Sequence, residues 1–235
     1  MTGKFYGIGV GPGNPELITI KAFRILQETD VICVPKSYAD RDSLALLVVK
    51  GFLKEDIKTL ELSFPMSKDR KVLEESWAAA GESVAALVRE GKMVSFVTIG
   101  DPLFYSTYGY LLAHLKNNHP ELPVETVPGI TAMAACSSLL QQPLVEGDET
   151  LAVVPAAYGI ETLRDILEKF DNVVMMKVNR RLPEVVKLLK DMGLGNNAVL
   201  YNRCGYPDGF YVTDLDELDG VTVDYMSLLI VRKRG

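Results

Sequence analysis

Two kinds of hydrophobic pattern alternate along the chain. Nearly continuous apolar runs such as 93–99 are typical of strands buried on both faces, whereas apolar positions at helical spacing within 69–90 indicate a long amphipathic helix. The alternation predicts an α/β protein with a largely parallel sheet. Toward the end, the runs at 210–213 and 225–231 follow one another with no helical pattern between them, which predicts a mixed sheet there.

The predicted elements suggest two α/β domains. We expect the first helix to begin at Pro15, with Asn14 as its N-cap. The segment 117–120, Asn-Asn-His-Pro, interrupts the periodic pattern and predicts a boundary between domain 1–119 and domain 120–235. The other predicted helices are 43–50, 69–90, 105–116, 131–140, 160–170 and 183–192, and the predicted strands are 5–10, 31–34, 93–99, 124–127, 151–154, 173–178, 198–201, 210–213 and 225–231.

Composition narrows the class of protein. The 235 residues are 48% hydrophobic and 24% charged, which is typical of a globular chain. The net charge of −6 and the lack of a basic stripe argue against a nucleic-acid partner. No apolar run approaches the ~18 residues that span a bilayer. The N-terminus has no charged-then-apolar leader, so we expect a cytoplasmic protein without a membrane partner.

Cysteine and histidine usage gives no sign of a metal site. The three cysteines are far apart and form no Cys-x-x-Cys pair, which argues against a disulfide framework and a zinc site. The two histidines, His114 and His119, lie in or just after a predicted helix. Because no glutamate partner stands at metal-binding spacing, we expect surface histidines and no bound metal.

Three turns that follow predicted strands are candidates for ligand binding. They are Gly9 to Gly13, Gly100-Asp101-Pro102 and Val127 to Ala132. Glycine lets a ligand approach the backbone, and open α/β sheets bind ligands outside the carboxyl ends of their strands. The first turn lacks the third glycine of the dinucleotide fingerprint, because Asn14 stands in its place. Each turn alone also has a structural explanation: a tight turn without a ligand for the first, helix capping for the second, and capping with close packing for the third.

Taken together, in this order and spacing, the three turns resemble those of the tetrapyrrole methylases, the class III S-adenosylmethionine methyltransferases. The resemblance extends from Phe5 to at least Arg203. It implies two α/β domains with S-adenosylmethionine in the cleft between them, S-adenosylhomocysteine as a product, a tetrapyrrole substrate and a homodimer. Within the family, the segments 4–7, 101–107, 133–138 and 201–205 are most similar to members that methylate C20 of precorrin-2 or cobalt-factor II in cobalamin biosynthesis.

The resemblance also implies roles for individual residues. The implied cofactor-binding residues are Pro12, Ile99, Gly100, Asp101, Phe104, Thr131, Ala132, Met176 and Lys177. The substrate carries many carboxylates, so an acidic protein must place positive charge locally in its binding trough. The candidates in loops after predicted strands are Lys36, Arg180, Arg181 and Arg203, with Arg41 and Lys177 beside them. Asp101, Tyr105 and Tyr108 are candidates to remove the proton from the methylated carbon.

Alternatives remain at this point. A sibling methylase could act on another ring carbon, on uroporphyrinogen or on a protein side chain, and the general motifs do not separate these reactions. A non-catalytic tetrapyrrole- or nucleotide-binding module could share the fold. A nicotinamide dehydrogenase is disfavoured by the interrupted fingerprint.

Overall fold

The structure is a computed structural model that describes residues 3–35, 43–65, 67, 69–218 and 220–233 of the chain. The chain divides into two compact units, Met1–Thr131 and Ala132–Gly235. Each unit contains one five-stranded sheet. The division falls after residue 131 rather than after residue 119, because the strand at 124–127 pairs with the first strand of the chain.

The first unit is built around an all-parallel sheet. Its strands are β1 (Lys4–Gly9), β2 (Val31–Pro35), β3 (Lys58–Leu62), β4 (Met93–Thr98) and β5 (Val124–Val127), and its helices are α1 (Ile20–Glu28), α2 (Leu44–Val49), α3 (Arg70–Arg89) and α4 (Tyr108–Asn118). The strand order is β3-β2-β4-β1-β5, with every pairing parallel. All five strands therefore end at the same edge of the sheet, which we call the carboxyl edge of the first sheet.

Both faces of this sheet are covered. Phe5 and Phe96 pack with α3 and α4 on one face, whereas Ile8 and Val97 pack with α1 and α2 on the other. Strand β4 is almost wholly buried, as its continuous apolar run predicts. Both faces being buried fixes the register of the central strands, so the turns after them are positioned by the core.

The second unit has the mixed sheet that the sequence predicts. Its strands are β6 (Leu151–Pro155), β7 (Asn172–Met176), β8 (Ala198–Asn202), β9 (Phe210–Val212) and β10 (Ser227–Arg232), and its helices are α5 (Ala132–Leu140), α6 (Ile160–Lys169) and α7 (Leu182–Asp191). The order is β6-β7-β10-β8-β9. Strand β10 runs antiparallel to both β7 and β8, so β7 and β8 run in the same direction and also end at a common edge.

Helices α1 and α4 begin several residues later than the sequence predicts. Asn14 caps only a single 3₁₀ turn, Pro15–Leu17, and α1 starts after Thr19, whose hydroxyl accepts a hydrogen bond from the Ala22 N–H. Helix α4 starts at Tyr108, because Tyr105 has a φ of +52° and cannot lie in a right-handed helix. Among the described residues, no helix combines the length and apolar character that crossing a bilayer requires.

Candidate active site

The three turns singled out in the sequence meet at the carboxyl edge of the first sheet. Gly11 and Gly100 form an isolated antiparallel bridge, in which the Gly100 N–H donates to the Gly11 carbonyl at 2.8 Å. The Gly129 N–H donates to Asp101 Oδ2 at 3.0 Å. Segments more than 25 residues apart are thus joined directly, backbone to backbone and backbone to carboxylate.

Close backbone approach explains two of the glycines. A Cβ on Gly129 would lie 2.1 Å from the Gly100 carbonyl oxygen, and one on Gly9 would lie 2.5 Å from the same atom. Gly100 itself differs: its φ is +71°, and a Cβ there would meet no atom of the described residues within 4 Å. The backbone of Gly100 is therefore open on that side, where a ligand can approach it.

Asp101 holds this arrangement through both of its carboxylate oxygens. Oδ1 accepts from the Leu103 N–H at 2.9 Å, and Oδ2 accepts from the Gly129 N–H. The side chain thus fixes the turn that follows β4 and connects it to the turn that follows β5. Hydrogen bonds to an ionised acceptor are among the stronger ones in proteins, so Asp101 is a structural centre of this edge.

The two candidate tyrosines lie in different environments. Tyr108 is fully buried, its hydroxyl is 2.7 Å from Thr126 Oγ1, and burial raises its pKa. Its ring fills the space beside Gly7, where a Cβ would lie 2.0 Å from it. Tyr105 is half exposed and contacts the Phe104 ring edge-to-face at 4.9 Å. Only Tyr105 of the two presents its side chain at the surface.

The remaining predicted cofactor residues fall into two groups, one in each unit. Pro12 is buried and Ile99 and Thr131 are partly buried in the first unit, and Ala132 is the first residue of α5 in the second unit. Met176 ends β7, and its carbonyl accepts from the Ala156 N–H at 2.8 Å.

Lys177 follows β7 in an unusual backbone conformation. Its φ is +58°, and its N–H donates to the Ser227 carbonyl at 2.9 Å. Its ammonium lies 5.0 Å from the centre of the Tyr225 ring. Tyr225 was not singled out in the sequence, where it was visible only as the start of a predicted strand. The contact holds the Lys177 charge at the edge where β7 and β8 end.

The predicted substrate-binding cations differ in the ion pairs and hydrogen bonds that they form within the chain. Arg203 follows β8, pairs with Asp208 at 2.9 Å and covers the Tyr206 ring at 4.7 Å. Arg181 pairs with Glu184 and donates to the Tyr158 carbonyl.

Arg180 is exposed and forms no ion pair with any described residue. Lys36 and Arg41 lie outside the residues that the structure describes. Of the predicted cations that the structure describes, Arg180 is therefore the one whose charge is least compensated within the chain.

Two buried cysteines form a contact that the sequence did not reveal. The Cys136 side chain on α5 interacts with that of Cys204 after β8, and this interaction together with burial raises the pKa of Cys136. The Tyr201 hydroxyl donates to the Cys136 carbonyl at 2.9 Å. These residues lie in the segments 133–138 and 201–205, so the contact packs α5 against the sheet of the second unit.

The model of the family described as tetrapyrrole (corrin/porphyrin) methylases matches residues 4–219. The chain belongs to this family. It is 36% identical over 237 residues to a precorrin-2 C(20)-methyltransferase of Sinorhizobium sp., covering 97% of this chain and 95% of that one. It is 34% identical over 235 residues to a cobalt-precorrin-2 C(20)-methyltransferase of Salmonella typhimurium, covering 100% and 98%.

Solved structures of other methylases share the fold. A cobalt precorrin-4 methyltransferase matches with a TM-score of 0.72 and 25% identity, over 97% of this chain and 94% of that one. A uroporphyrin-III C-methyltransferase from Thermus thermophilus, complexed with S-adenosylhomocysteine, matches with a TM-score of 0.69 and 22% identity, over 98% and 92%. The predicted two-domain α/β fold of tetrapyrrole methylases, with a parallel first sheet and a mixed second sheet, is confirmed.

Proposed function

We propose that this protein transfers the methyl group of S-adenosylmethionine to C20 of precorrin-2, or of its cobalt complex, in cobalamin biosynthesis. The observation that carries the proposal is similarity over essentially the whole chain to two proteins named for this reaction. The geometry of the first unit supports it, because the three turns of the tetrapyrrole methylases converge on one edge and are joined there.

The carboxyl edge of the first sheet is suited to hold the cofactor. Gly100 offers an open backbone, and Pro12, Ile99, Phe104 and Thr131 lie on the turns around it. We propose that Ala132, Met176 and Lys177 of the second unit also contact the cofactor. When bound, S-adenosylmethionine supplies a methyl group that is already activated as a sulfonium.

Catalysis by positioning fits the residues present. A meso carbon of a reduced tetrapyrrole is electron-rich, so holding it in line with the methyl group and excluding water can supply much of the rate acceleration. Asp101 then acts chiefly as a positioning residue, because both of its oxygens already accept backbone N–H groups. The buried Tyr108 hydroxyl forms a hydrogen bond with the Thr126 hydroxyl of β5 and so stabilises that strand. Tyr105, half exposed on the same turn as Asp101, is our candidate to contact the substrate and accept the proton.

Positive charges of the second unit would bind substrate carboxylates. We propose Arg180 as the principal partner, together with Lys177. Arg181 is engaged by Glu184 and Tyr158, and Arg203 by Asp208 and Asp224, so the contributions of these two arginines would be smaller. Lys36 stays a candidate from the sequence.

The decisive experiment offers the enzyme several acceptors under anaerobic conditions with S-adenosylmethionine. We expect a singly methylated product, detected by mass spectrometry, from precorrin-2 or cobalt-precorrin-2. The substrate that reacts faster is then identified as the natural one. Methylation of uroporphyrinogen III instead would indicate a sibling methylase. Cofactor binding with no product from any acceptor would indicate a binding module, and tight binding of NAD would indicate a dehydrogenase.

The homodimer that the resemblance implies and the cytoplasmic location expected from the N-terminal sequence stay predictions. Light scattering coupled to size-exclusion chromatography tests the first, and a mass of one chain, 25.9 kDa, would contradict it.

A further inference from the structure

The two histidines of the chain lie together with a glutamate at the end of the first unit where α4 leads into β5. Glu82 Oε1, on α3, is 2.9 Å from His119 Nε2 and 3.6 Å from His114 Nε2. One donor atom from each residue lies within 4.8 Å of the others. The sequence expectation of surface histidines is wrong for His119, which is 8% exposed. Its glutamate partner lies on a different helix, where spacing along one helix cannot reveal it.

We propose that Glu82, His114 and His119 bind one divalent transition-metal ion of the Zn²⁺ type. Two imidazoles and a carboxylate are a common zinc ligand set that leaves a fourth position for water. With metal–ligand distances of about 2.1 Å, two ligands of a tetrahedral ion lie about 3.4 Å apart. The separations of 2.9 and 3.6 Å from Glu82 Oε1 lie on either side of this value.

A second observation points to a ligand at this place. His114 Nε2 is buried and has no hydrogen-bond partner among the described residues, although Glu82 lies nearby at 3.6 Å. The other ring nitrogen, Nδ1, lies 3.3 Å from the Asn118 amide nitrogen, which donates to it, so the proton of the neutral ring lies on Nε2. An ion on Nε2 replaces that proton and Asn118 then releases Nδ1, while its amide keeps the hydrogen bond to the His114 carbonyl at 3.0 Å. A buried nitrogen without a partner is rare in native proteins, because it loses its interaction with water. An ion bound between His114 and Glu82 would satisfy it.

The carboxylate of the cluster is ready to act as a ligand. Its Oε1 faces the Nε2 atoms of both histidines, at 2.9 Å from His119 and 3.6 Å from His114. Glu82 is exposed, which gives an ion access to the cluster.

Arg89 opposes metal binding at His119. Its Nη2 lies 2.8 Å from His119 Nδ1, and a guanidinium only donates hydrogen bonds. Nδ1 therefore accepts, and the proton of the neutral ring lies on Nε2, directed at Glu82. An ion on Nε2 replaces that proton, so Arg89 must release Nδ1. Arg89 is half exposed and also bonded to Glu121 at 2.6 Å, which can retain it after release.

The site would tie α3 to the end of α4, remote from the carboxyl edge of the first sheet. Because an ion that binds only the folded state stabilises it, the expected consequence is a higher melting temperature with Zn²⁺. This role is independent of methyl transfer, so its test needs no substrate.

The test titrates Zn²⁺ into untagged, metal-free, full-length protein in competition with a chromophoric chelator, and repeats the titration with Co²⁺ while recording its visible spectrum. We expect one ion per chain, a tetrahedral Co²⁺ spectrum and a rise in melting temperature. Glu82→Gln should weaken binding at least tenfold, as should His119→Asn. Arg89→Gln should strengthen it, because Nδ1 is then free.

The matched control is Glu75→Gln, which removes an exposed carboxylate two turns earlier on α3, beside Lys71 and outside the cluster. It should bind Zn²⁺ as the unaltered protein does. The proposal is overturned if the unaltered protein shows no saturable binding, or if Glu82→Gln and Glu75→Gln bind equally. Circular dichroism of each variant establishes that it is folded before the affinities are compared.

Discussion

The carboxyl edge of the first sheet differs in construction from the edge of the second sheet at which β7 and β8 end, with each edge considered by itself. At the first, turns are joined through backbone groups, with Gly9, Gly100 and Gly129 in contact and Asp101 bridging two turns. At the second, charged side chains follow the strands and are held by neighbouring rings and carboxylates, as Lys177 is by Tyr225.

The difference teaches which parts of a site tolerate change. Backbone contacts at van der Waals distance leave no space for even one methyl group, so residue type is tightly constrained. A charged side chain on a surface loop reaches its partner through flexible bonds, and another cation can often replace it. We therefore expect steep effects at the first edge and graded effects at the second.

The largest effect should come from Gly129→Ala. The new Cβ would lie 2.1 Å from the Gly100 carbonyl oxygen, so the turns must separate. We expect a loss of about 3 kcal/mol or more in the free energy of unfolding and a loss of cofactor binding. Urea denaturation measures the loss of stability, and titration with S-adenosylmethionine measures the loss of cofactor binding.

The matched control is Gly109→Ala in α4, where a Cβ meets no described atom within 4 Å. This substitution should stabilise the helix by up to about 1 kcal/mol. Equal stability of the two variants would contradict the account.

Asp101→Asn should have the next largest effect. Asparagine keeps one acceptor oxygen, so its NH₂ group faces either the Leu103 or the Gly129 N–H and that one hydrogen bond is lost. A hydrogen bond to a charged group contributes about 1.5–3 kcal/mol. We expect cofactor affinity to fall on the order of 10- to 100-fold. The pH profile of kcat/KM should keep its shape, because Asp101 is a positioning residue. Loss of the acid limb of that profile would show instead that Asp101 is the base. Asp148→Asn, at an exposed aspartate of the second unit, is the control.

Graded effects are expected for the arginines of the second unit. Arg180→Ala should raise the KM for the tetrapyrrole about tenfold and leave the melting temperature unchanged, because Arg180 forms no ion pair with a described residue. Arg203→Ala should raise KM and also lower the melting temperature, because it removes the contacts to Asp208 and Tyr206. Arg70→Ala, at an exposed position at the start of α3, is the control. An unchanged KM in both variants would remove these cations from the substrate site.

The smallest effect should come from Glu125→Gln in β5. Glu125 pairs with Lys21 and with Lys4 at 2.5 Å, and these contacts hold its pKa below the ordinary value of 4.5. The stabilisation is therefore present above pH 4.5 and is lost as the pH falls through the lower, folded-state pKa. We expect a difference under about 1 kcal/mol at pH 7 that shrinks in acid. A difference that grows in acid would contradict this sign.

The same comparison explains what could be predicted from the sequence. The glycine turns could be predicted because a close backbone approach requires glycine, so the residue type itself indicates the constraint. Strand β3 was missed, because an edge strand with Lys58, Thr59 and Glu61 exposed shows no continuous apolar run. Contacts between side chains of distant elements leave no local pattern. For that reason Tyr225 beside Lys177 and Glu82 beside the histidines were seen only in three dimensions.

The buried tyrosine shows the same limit within a motif. Tyr105 and Tyr108 stand three residues apart in one segment, and their positions alone made both candidates for the proton acceptor. The left-handed conformation of Tyr105 interrupts the helix, so Tyr105 lies at the surface while Tyr108 starts α4 inside the core. That conformation depends on the turn as a whole and has no signature in the residue type.

The central claim is methyl transfer to one carbon of the tetrapyrrole. The most direct measurement uses S-adenosylmethionine labelled with ¹³C in its methyl group, with precorrin-2 and cobalt-precorrin-2 as acceptors in separate anaerobic reactions, followed by NMR of the product. The account predicts a single labelled methyl group, attached at C20. A labelled methyl group at any other ring carbon would contradict it.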